Sequence, residues 1–380
     1  MATTLNTHRG RRRRVAFLFL GETLLIPHLW PIVEALATHA PDLAVDLWVA
    51  TSAHEALLAR WSAGLASVRI RRAPGFLAVA GDGSGRNPPL PAKLPMLVRL
   101  LPKLLSARVV VCAEQTSLWL PTAIPFLPIR FVKTAHGAGS MSARDDRRRR
   151  SAWLTLVPGE PERAEFLRRG FAPDRLVVTG YVKSAFRQRT PRTGLFPDAR
   201  PIILYAPHWQ RHRSSWWQWG RQVIDMLCAQ TQWNVILAPH QRLVERDPGV
   251  AAVLAEAARL PHVRTDIDGF AMVDGSYTEA ADLYLGDTSS QVVEYLARAR
   301  PCVFLNADGV AWRGRPDHDF WTCGEVVDSL DRLPGAIAEA ERLHPQFAGV
   351  QERFVSAALG ETGAVAARRA AEAVLRALEG

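Results

Sequence analysis

Gly286-Asp287-Thr288-Ser289-Ser290 closes one apolar run, Leu283-Tyr284-Leu285, and opens another, Gln291-Val292-Val293-Glu294. A strand that ends in small hydroxyl residues and passes into a helix is a natural seat for phosphate. The free N–H groups of a helix start and its dipole attract anions. Thr288, Ser289 and Ser290 add hydroxyl donors without bulk, and Asp287 opens the turn. Glu294, one helical turn past Ser290, is placed to accept hydrogen bonds from a ribose or another hydroxyl. The competing reading is plain capping by Asp287, Thr288 or Ser289.

Three histidines follow other strand-like runs. His136 stands at the mouth of a glycine-rich turn, Thr134-Ala135-His136-Gly137-Ala138-Gly139. It could take a proton from an attacking hydroxyl near neutral pH, while Gly137 lets a ligand approach the backbone. His208 follows Ile203-Leu204-Tyr205-Ala206-Pro207, and His240 with Arg242 follows Val235-Ile236-Leu237-Ala238-Pro239. One such histidine is more often structural. Three on strand ends point to a shared cleft.

Two other groups are ambiguous. Trp209, Trp216, Trp217 and Trp219 beside Arg211, His212 and Arg213 read as helix core or as an edge facing lipid or acceptor. Asp317-His318-Asp319 lacks further ligands at a diagnostic spacing, so no metal is expected, and no cofactor either. A P-loop, a Gly-x-Gly-x-x-Gly after the first strand and a Gly-x-Ser-x-Gly elbow are all missing, which disfavours the ATPase, dehydrogenase and α/β-hydrolase readings.

The elements that must position these residues alternate. Strands are expected at 15–20, 45–50, 67–70, 109–113, 130–134, 154–157 and 176–179. Helices are expected at 28–39 with Pro31 in the first turn, at 53–61 capped by Ser52, and at 161–170. After a polar stretch the pattern restarts, with strands at 202–205, 233–238, 263–265, 282–285, 302–305 and 325–327. Helices fit 214–229, 248–259, 289–298, 333–342, 346–358 and 364–378. Strand–helix alternation implies parallel sheets covered on both faces. The expectation is an α/β chain of two Rossmann-like, doubly wound domains facing a central cleft. The first spans 1–187, with a linker at 188–200, the second spans 201–358, and a last helix fills 359–380. In such sheets ligands sit beyond the carboxyl ends of the strands. Few carboxylates are expected there in the first half.

The 380 residues carry a net charge of +10, which favours an anionic partner. Much of the excess lies in Arg9 with Arg11 to Arg14, and in Arg144 with Arg147 to Arg150. Such runs read as solvated segments, or as a contact with anionic lipid or glycan. The four cysteines are scattered and fit reduced thiols, and no apolar stretch reaches the ~18 residues of a membrane span. A cytoplasmic location is expected, with the basic surface and tryptophans fitting a peripheral place at the inner membrane face.

His136-Gly137, Gly180-Tyr181, Tyr205-Ala206-Pro207-His208-Trp209, His240 and Asp287-Thr288-Ser289-Ser290 with Glu294 occur in an order that resembles the CDP-glycerol glycerophosphotransferases of teichoic-acid type. The match runs from about residue 130 to about residue 370. The resemblance implies a GT-B fold and transfer of glycerol phosphate, or a related polyol phosphate, from a CDP-activated donor. The acceptor would be a hydroxyl of an anionic cell-surface or lipid-linked glycan, and nucleic acid is not an expected partner. It implies His136 as general base, His208 and His240 steadying phosphate, and Thr288, Ser289 and Ser290 on the diphosphate. The chain departs from the family pattern at Ala135 (tryptophan), Val182 (proline), His208 (threonine), Gln210 (arginine), Gln241 (proline) and Thr288 (tyrosine). Two other readings remain open: a GT-B glycosyltransferase or UDP-sugar 2-epimerase-like enzyme, and a non-catalytic basic binding protein.

Overall fold

A parallel strand covered by helices on both faces has no solvent side, so its sequence is a nearly unbroken apolar run. The computed structural model, which describes residues 13–80, 88–135, 137, 147–289 and 291–379, gathers such runs into two sheets. The first holds β1 (Arg14–Phe19), β2 (Ala44–Thr51), β3 (Val68–Leu77), β4 (Val109–Cys112), β5 (Arg130–Thr134), β6 (Leu154–Val157) and β7 (Leu176–Val178) in the order β3-β2-β1-β4-β5-β6-β7. The second holds β8 (Ile202–Ala206), β9 (Asn234–Leu237), β10 (Val263–Thr265), β11 (Leu283–Gly286), β12 (Cys302–Leu305) and β13 (Glu325–Val327) in the order β10-β9-β8-β11-β12-β13. Every pairing is parallel. The strand order therefore reverses between β1 and β4 in one sheet and between β8 and β11 in the other. These reversals are where doubly wound sheets open a crevice.

The helices are α1 (Ile26–His39), α2 (Ser52–Trp61), α3 (Lys93–Leu104), α4 (Trp119–Ala123), α5 (Glu160–Arg168), α6 (Trp216–Ala229) and α7 (Gln241–Arg246). They continue with α8 (Gly249–Ala257), α9 (Ser276–Ala280), α10 (Gln291–Tyr295), α11 (Leu333–Leu343), α12 (Pro345–Leu359) and α13 (Gly363–Glu379). α12 packs into the core of the second sheet through Ala358 and Leu359. α13 returns to the first, where Ala370, Ala373 and Val374 join the core beside α1. Small alanines let that helix lie close against its neighbours.

The structure differs from the sequence expectations at several points. α1 begins two residues earlier, with Pro27 at its start, so Pro31 lies inside the helix. Ser52 does not cap α2. Its hydroxyl exchanges hydrogen bonds with the backbone of Val79, while Thr51 precedes the helix and bonds His54. α3 was not expected, because Pro95 and Pro102 mask its apolar spacing. In the later arginine run Arg149 is buried over the Phe166 ring, while Arg150 is exposed and lies over Phe171.

α10 covers five residues rather than the expected ten from 289 to 298. Two neighbours stop it. Arg300 donates to the carbonyls of Thr278, Ala281 and Tyr295, and Tyr295 donates to the carbonyl of Pro301. The chain has to turn there to enter β12.

The chain passes between the sheets twice, and the two crossings touch. Tyr181 N–H donates to Glu361 C=O at 2.8 Å. Gly180 sits at φ +89°, and a Cβ there would lie 2.2 Å from that same carbonyl oxygen. Gly180→Ala is therefore expected to cost on the order of 2–4 kcal/mol, from left-handed strain plus a backbone clash. Urea unfolding measures this, and an unchanged midpoint would show that the contact does not constrain the crossing.

Candidate functional site

The second sheet's reversal point is built around a carboxylate. β11 ends at Gly286, and Asp287 follows it, almost wholly buried. Its Oδ2 accepts the N–H of His208 at 2.8 Å and its Oδ1 accepts the N–H of Ser215 at 2.9 Å. One side chain thus holds the turn after β8 and the start of α6. Burial pushes its pKa up to about 7, against those hydrogen bonds, which favour the ionised form. Asp287 fixes backbone rather than facing a ligand.

His208 and His240 stand on the neighbouring strand ends, after β8 and β9, with ring centroids 5.7 Å apart. The backbone N–H of His240 donates to Pro207 C=O, which locks the two turns together. Each imidazole accepts a backbone N–H at Nδ1, from Gln210 at 3.1 Å and from Arg242 at 3.2 Å. The proton of the neutral ring is then on Nε2, a donor. Among the described residues, neither Nε2 has a hydrogen-bond partner. Burial first, then His240, Arg213 and His212, lowers the pKa of His208 to about 3. Burial and Arg242 lower that of His240 to about 4.

Thr288 is buried, and its Oγ1 has no hydrogen-bond partner among the described residues. A buried hydroxyl without a partner is uncommon and calls for a reason. Ser289 does cap: its Oγ accepts the N–H of Gln291 at 3.3 Å. Because α10 is one short turn, its dipole is small, and the helix-start argument for phosphate is weaker than the sequence implied. Among the described residues, Thr288 Oγ1 and the two Nε2–H groups are unpartnered donors at this end of the sheet. Ser290 and His136 lie outside the described residues. Gly137, just past β5, sits at φ +84°, a conformation that favours glycine.

Glu294 is already engaged. It forms an ion pair with Lys183 at 2.7 Å and accepts from Tyr181 O–H at 2.5 Å, so it ties α10 to the crossing after β7. A ribose hydroxyl would have to share its lone pairs. Arg242 spans the cleft differently. Its Nη2 lies 4.0 Å from Glu22 Oε1, just after β1, and its guanidinium lies 5.4 Å from the Trp209 ring centroid. The carboxyl ends of the two sheets thus face each other. Trp216 is buried in the second sheet's core, while Trp217 and Trp219 on α6 and Trp209 in the turn after β8 are half-buried against that core. Asp317 lies beside Arg213, Arg315 and His318, and no cluster able to hold a metal occurs among the described residues.

Sequence reasoning missed the first sheet's reversal point. Glu22 follows β1, and Glu114 follows β4 almost directly. Glu114 is nearly buried, with Lys93 Nζ at 2.6 Å and Ser117 Oγ at 3.3 Å. Two carboxylates, Glu22 and Glu114, thus stand after strands of the first half, where few are expected. The rule that selected the histidines, reading the residue after each strand, would have found Glu114 too. Lys133, at the end of β5, is wholly buried and donates to Thr134 C=O, and burial lowers its pKa to about 7.

No family model and no curated protein sequence matches the chain. Solved structures do. The wall teichoic acid polymerase TagF, in a variant soaked with CDPG, is 14% identical, with a TM-score of 0.65 over 97% of this chain and 89% of that one. A UDP-N-acetylglucosamine 2-epimerase is 13% identical, with a TM-score of 0.60 over 96% of this chain and 95% of that one. The Neisseria meningitidis UDP-GlcNAc 2-epimerase bound to UDP-GlcNAc gives 0.59 at 13% identity, over 96% and 99%. The fold is GT-B-like. Identities this low speak to the fold alone.

The buried imidazoles set a pH dependence. His54, hydrogen-bonded to Thr51 and Gly21 C=O, is lowered from 6.5 to about 4 by burial. Below 6.5 the unfolded chain takes up protons that folded His54, His208 and His240 do not. Stability that is complete above 6.5 is therefore lost as pH falls towards 4. Asp287, raised to about 7, acts in the opposite sense, because the folded state binds its proton first. His54 alone is expected to contribute about 3 kcal/mol to the loss. Unfolding midpoints measured from pH 7.5 to 4.5 should fall, and fall less steeply in His54→Gln. An equal slope in the variant would show that His54 is not held neutral.

Proposed function

We propose that the protein is a transferase that moves glycerol phosphate, or a related polyol phosphate, from a CDP-activated donor to a hydroxyl of a cell-surface or lipid-linked glycan. The observations that support this reading are an unpartnered buried Thr288 hydroxyl just after β11 and two Nε2–H imidazoles just after β8 and β9, all at the carboxyl end of the second sheet. Three neutral donors on a fixed frame suit a diphosphate, and Arg242 adds charge nearby. The resemblance in motif order supports the CDP donor, while the fold is shared both with TagF, solved after a CDPG soak, and with the UDP-GlcNAc 2-epimerases.

In this reading the acceptor oxygen attacks the phosphorus that bears the polyol, in line with the bridging oxygen. The bond to that oxygen breaks and CMP leaves. His136 takes the proton of the attacking hydroxyl. His208, His240 and Thr288 hold the phosphate oxygens as charge shifts to the leaving group. Catalysis of this kind is mainly positioning and charge stabilisation.

A second reading, a nucleotide-sugar enzyme, is favoured by Glu22 and Glu114 at the first sheet's reversal, since it asks for carboxylates around the cleft. Incubation with CDP-glycerol, CDP-ribitol and UDP-sugars separates the two. CMP release supports the transferase, and UDP release or epimerised sugar replaces it with the second. His136→Ala should reduce CMP release at least about a hundredfold with donor affinity little changed. Undiminished turnover in that variant would remove the base from the scheme.

A further inference from the structure

The edge of the second sheet borders a cavity apart from the reversal point. Its volume is about 570 Å³, inside the range of about 300–1,000 Å³ usual for small-molecule sites. β13 is the edge strand and supplies one wall through Glu325 and Val326. Trp312, Trp321 and Phe347 of α12 supply aromatic surface. A smaller cavity, lined by Thr288 and Arg213 among others, shares only Asn306 and Trp321 with it. Trp321 thus borders both this pocket and the surroundings of Thr288.

Charge narrows the occupant. Arg313 and Arg332 stand against Glu325 and Asp328, so the lining carries no net charge. Arg332 is held by both carboxylates, at 3.5 Å from Glu325 and 3.1 Å from Asp328. The Arg313 guanidinium lies 4.5 Å from the centre of the Trp312 ring. A phosphate or carboxylate would meet Glu325 and Asp328, and an ammonium group would meet Arg313. A fatty chain would strip water from all four charges. An uncharged polar ligand meets none of these penalties.

Hydrogen bonding narrows it further. Two buried polar atoms of lining residues have no partner among the described residues: the donor Nε1 of Trp321, a residue only 3% exposed, and the acceptor Oε2 of Glu325. Folded proteins leave few such groups without a reason. A hydroxyl serves both, since it donates to a carboxylate and accepts from an indole N–H. A sugar ring carries hydroxyls on its rim and an apolar C–H face that packs on aromatic rings. We propose that this pocket binds a neutral saccharide unit, at a site separate from the nucleotide. Under the proposed function it would hold part of the glycan acceptor. That role rests on the transferase reading, but the sugar binding itself does not.

The test is titration of the full chain with neutral oligosaccharides of glucose, galactose and N-acetylglucosamine, read by tryptophan fluorescence and saturation-transfer NMR. No nucleotide is present, so the outcome is independent of the donor assignment. At least one sugar should bind and shift the fluorescence, with an affinity that high salt leaves unchanged. Inorganic phosphate should not compete. Trp312→Leu removes a ring and keeps apolar bulk, and Glu325→Ala removes the unpartnered acceptor. Each should weaken binding at least about tenfold, with an unfolding midpoint close to the parent's. Glu325 is only half-buried, so its variant keeps the test open if Trp312→Leu loses its fold. No binding by any of these sugars, competition by phosphate, or unaltered binding in the folded variants would each overturn the proposal.

Discussion

Asp287 is the constraint on which the second half depends. Its carboxylate is out of water, and a buried carboxylate is tolerated only when its lone pairs are used. The N–H groups of His208 and Ser215 use them. Those amides belong to two different elements, the turn after β8 and the start of α6. Through Pro207, which accepts from His240, the turn after β9 joins the same frame. Three strand ends are thus held by one side chain and one backbone hydrogen bond. The small residue Thr288 and the imidazoles of His208 and His240 inherit their places from it.

The two sheets are coupled by equally specific contacts. The crossings at Gly180 and Glu361 run backbone against backbone, with no room for a Cβ. Just beyond, Lys183 and Tyr181 hold Glu294 on α10. Trp61 on α2 stacks near Phe270 with Phe186 alongside, so the first sheet's core reaches residues of the second. The short helix that follows the Asp287 turn is therefore anchored from across the crossing, and its position does not depend on its own length.

Much of this was legible in the sequence. Each expected strand corresponds to an observed one because buried parallel strands read as short apolar runs between turn residues. Reading the residue after each strand located Asp287, His208 and His240. What it could not supply was direction. Asp287 and Thr288 are adjacent and both polar, yet one grips backbone and the other points a hydroxyl at nothing described. Ser289 turned out to be a cap, and Glu294 a clamp, because their partners Gln291, Lys183 and Tyr181 are set by tertiary contacts. Helix length was misjudged at α10, where Arg300 gathers carbonyls from distant elements. α3 was hidden by its two prolines, although the first sits in a turn whose N–H groups need no partner. Glu114 follows β4 as the histidines follow their strands, but its pairing with Lys93 and Ser117 is set by tertiary contacts.

Thr288 Oγ1 has no hydrogen-bond partner among the described residues, and in the proposed function a donor phosphate supplies one. Thr288→Val keeps the shape and removes the hydroxyl, and calorimetric titration with CDP and UDP, alongside urea unfolding, reads both consequences. Losing an unsatisfied buried hydroxyl should leave the free protein as stable as before or about 1 kcal/mol more stable. Losing its bond to phosphate should weaken nucleotide affinity about tenfold. Unchanged affinity in a variant of equal or greater stability would contradict the account, and place the nucleotide elsewhere.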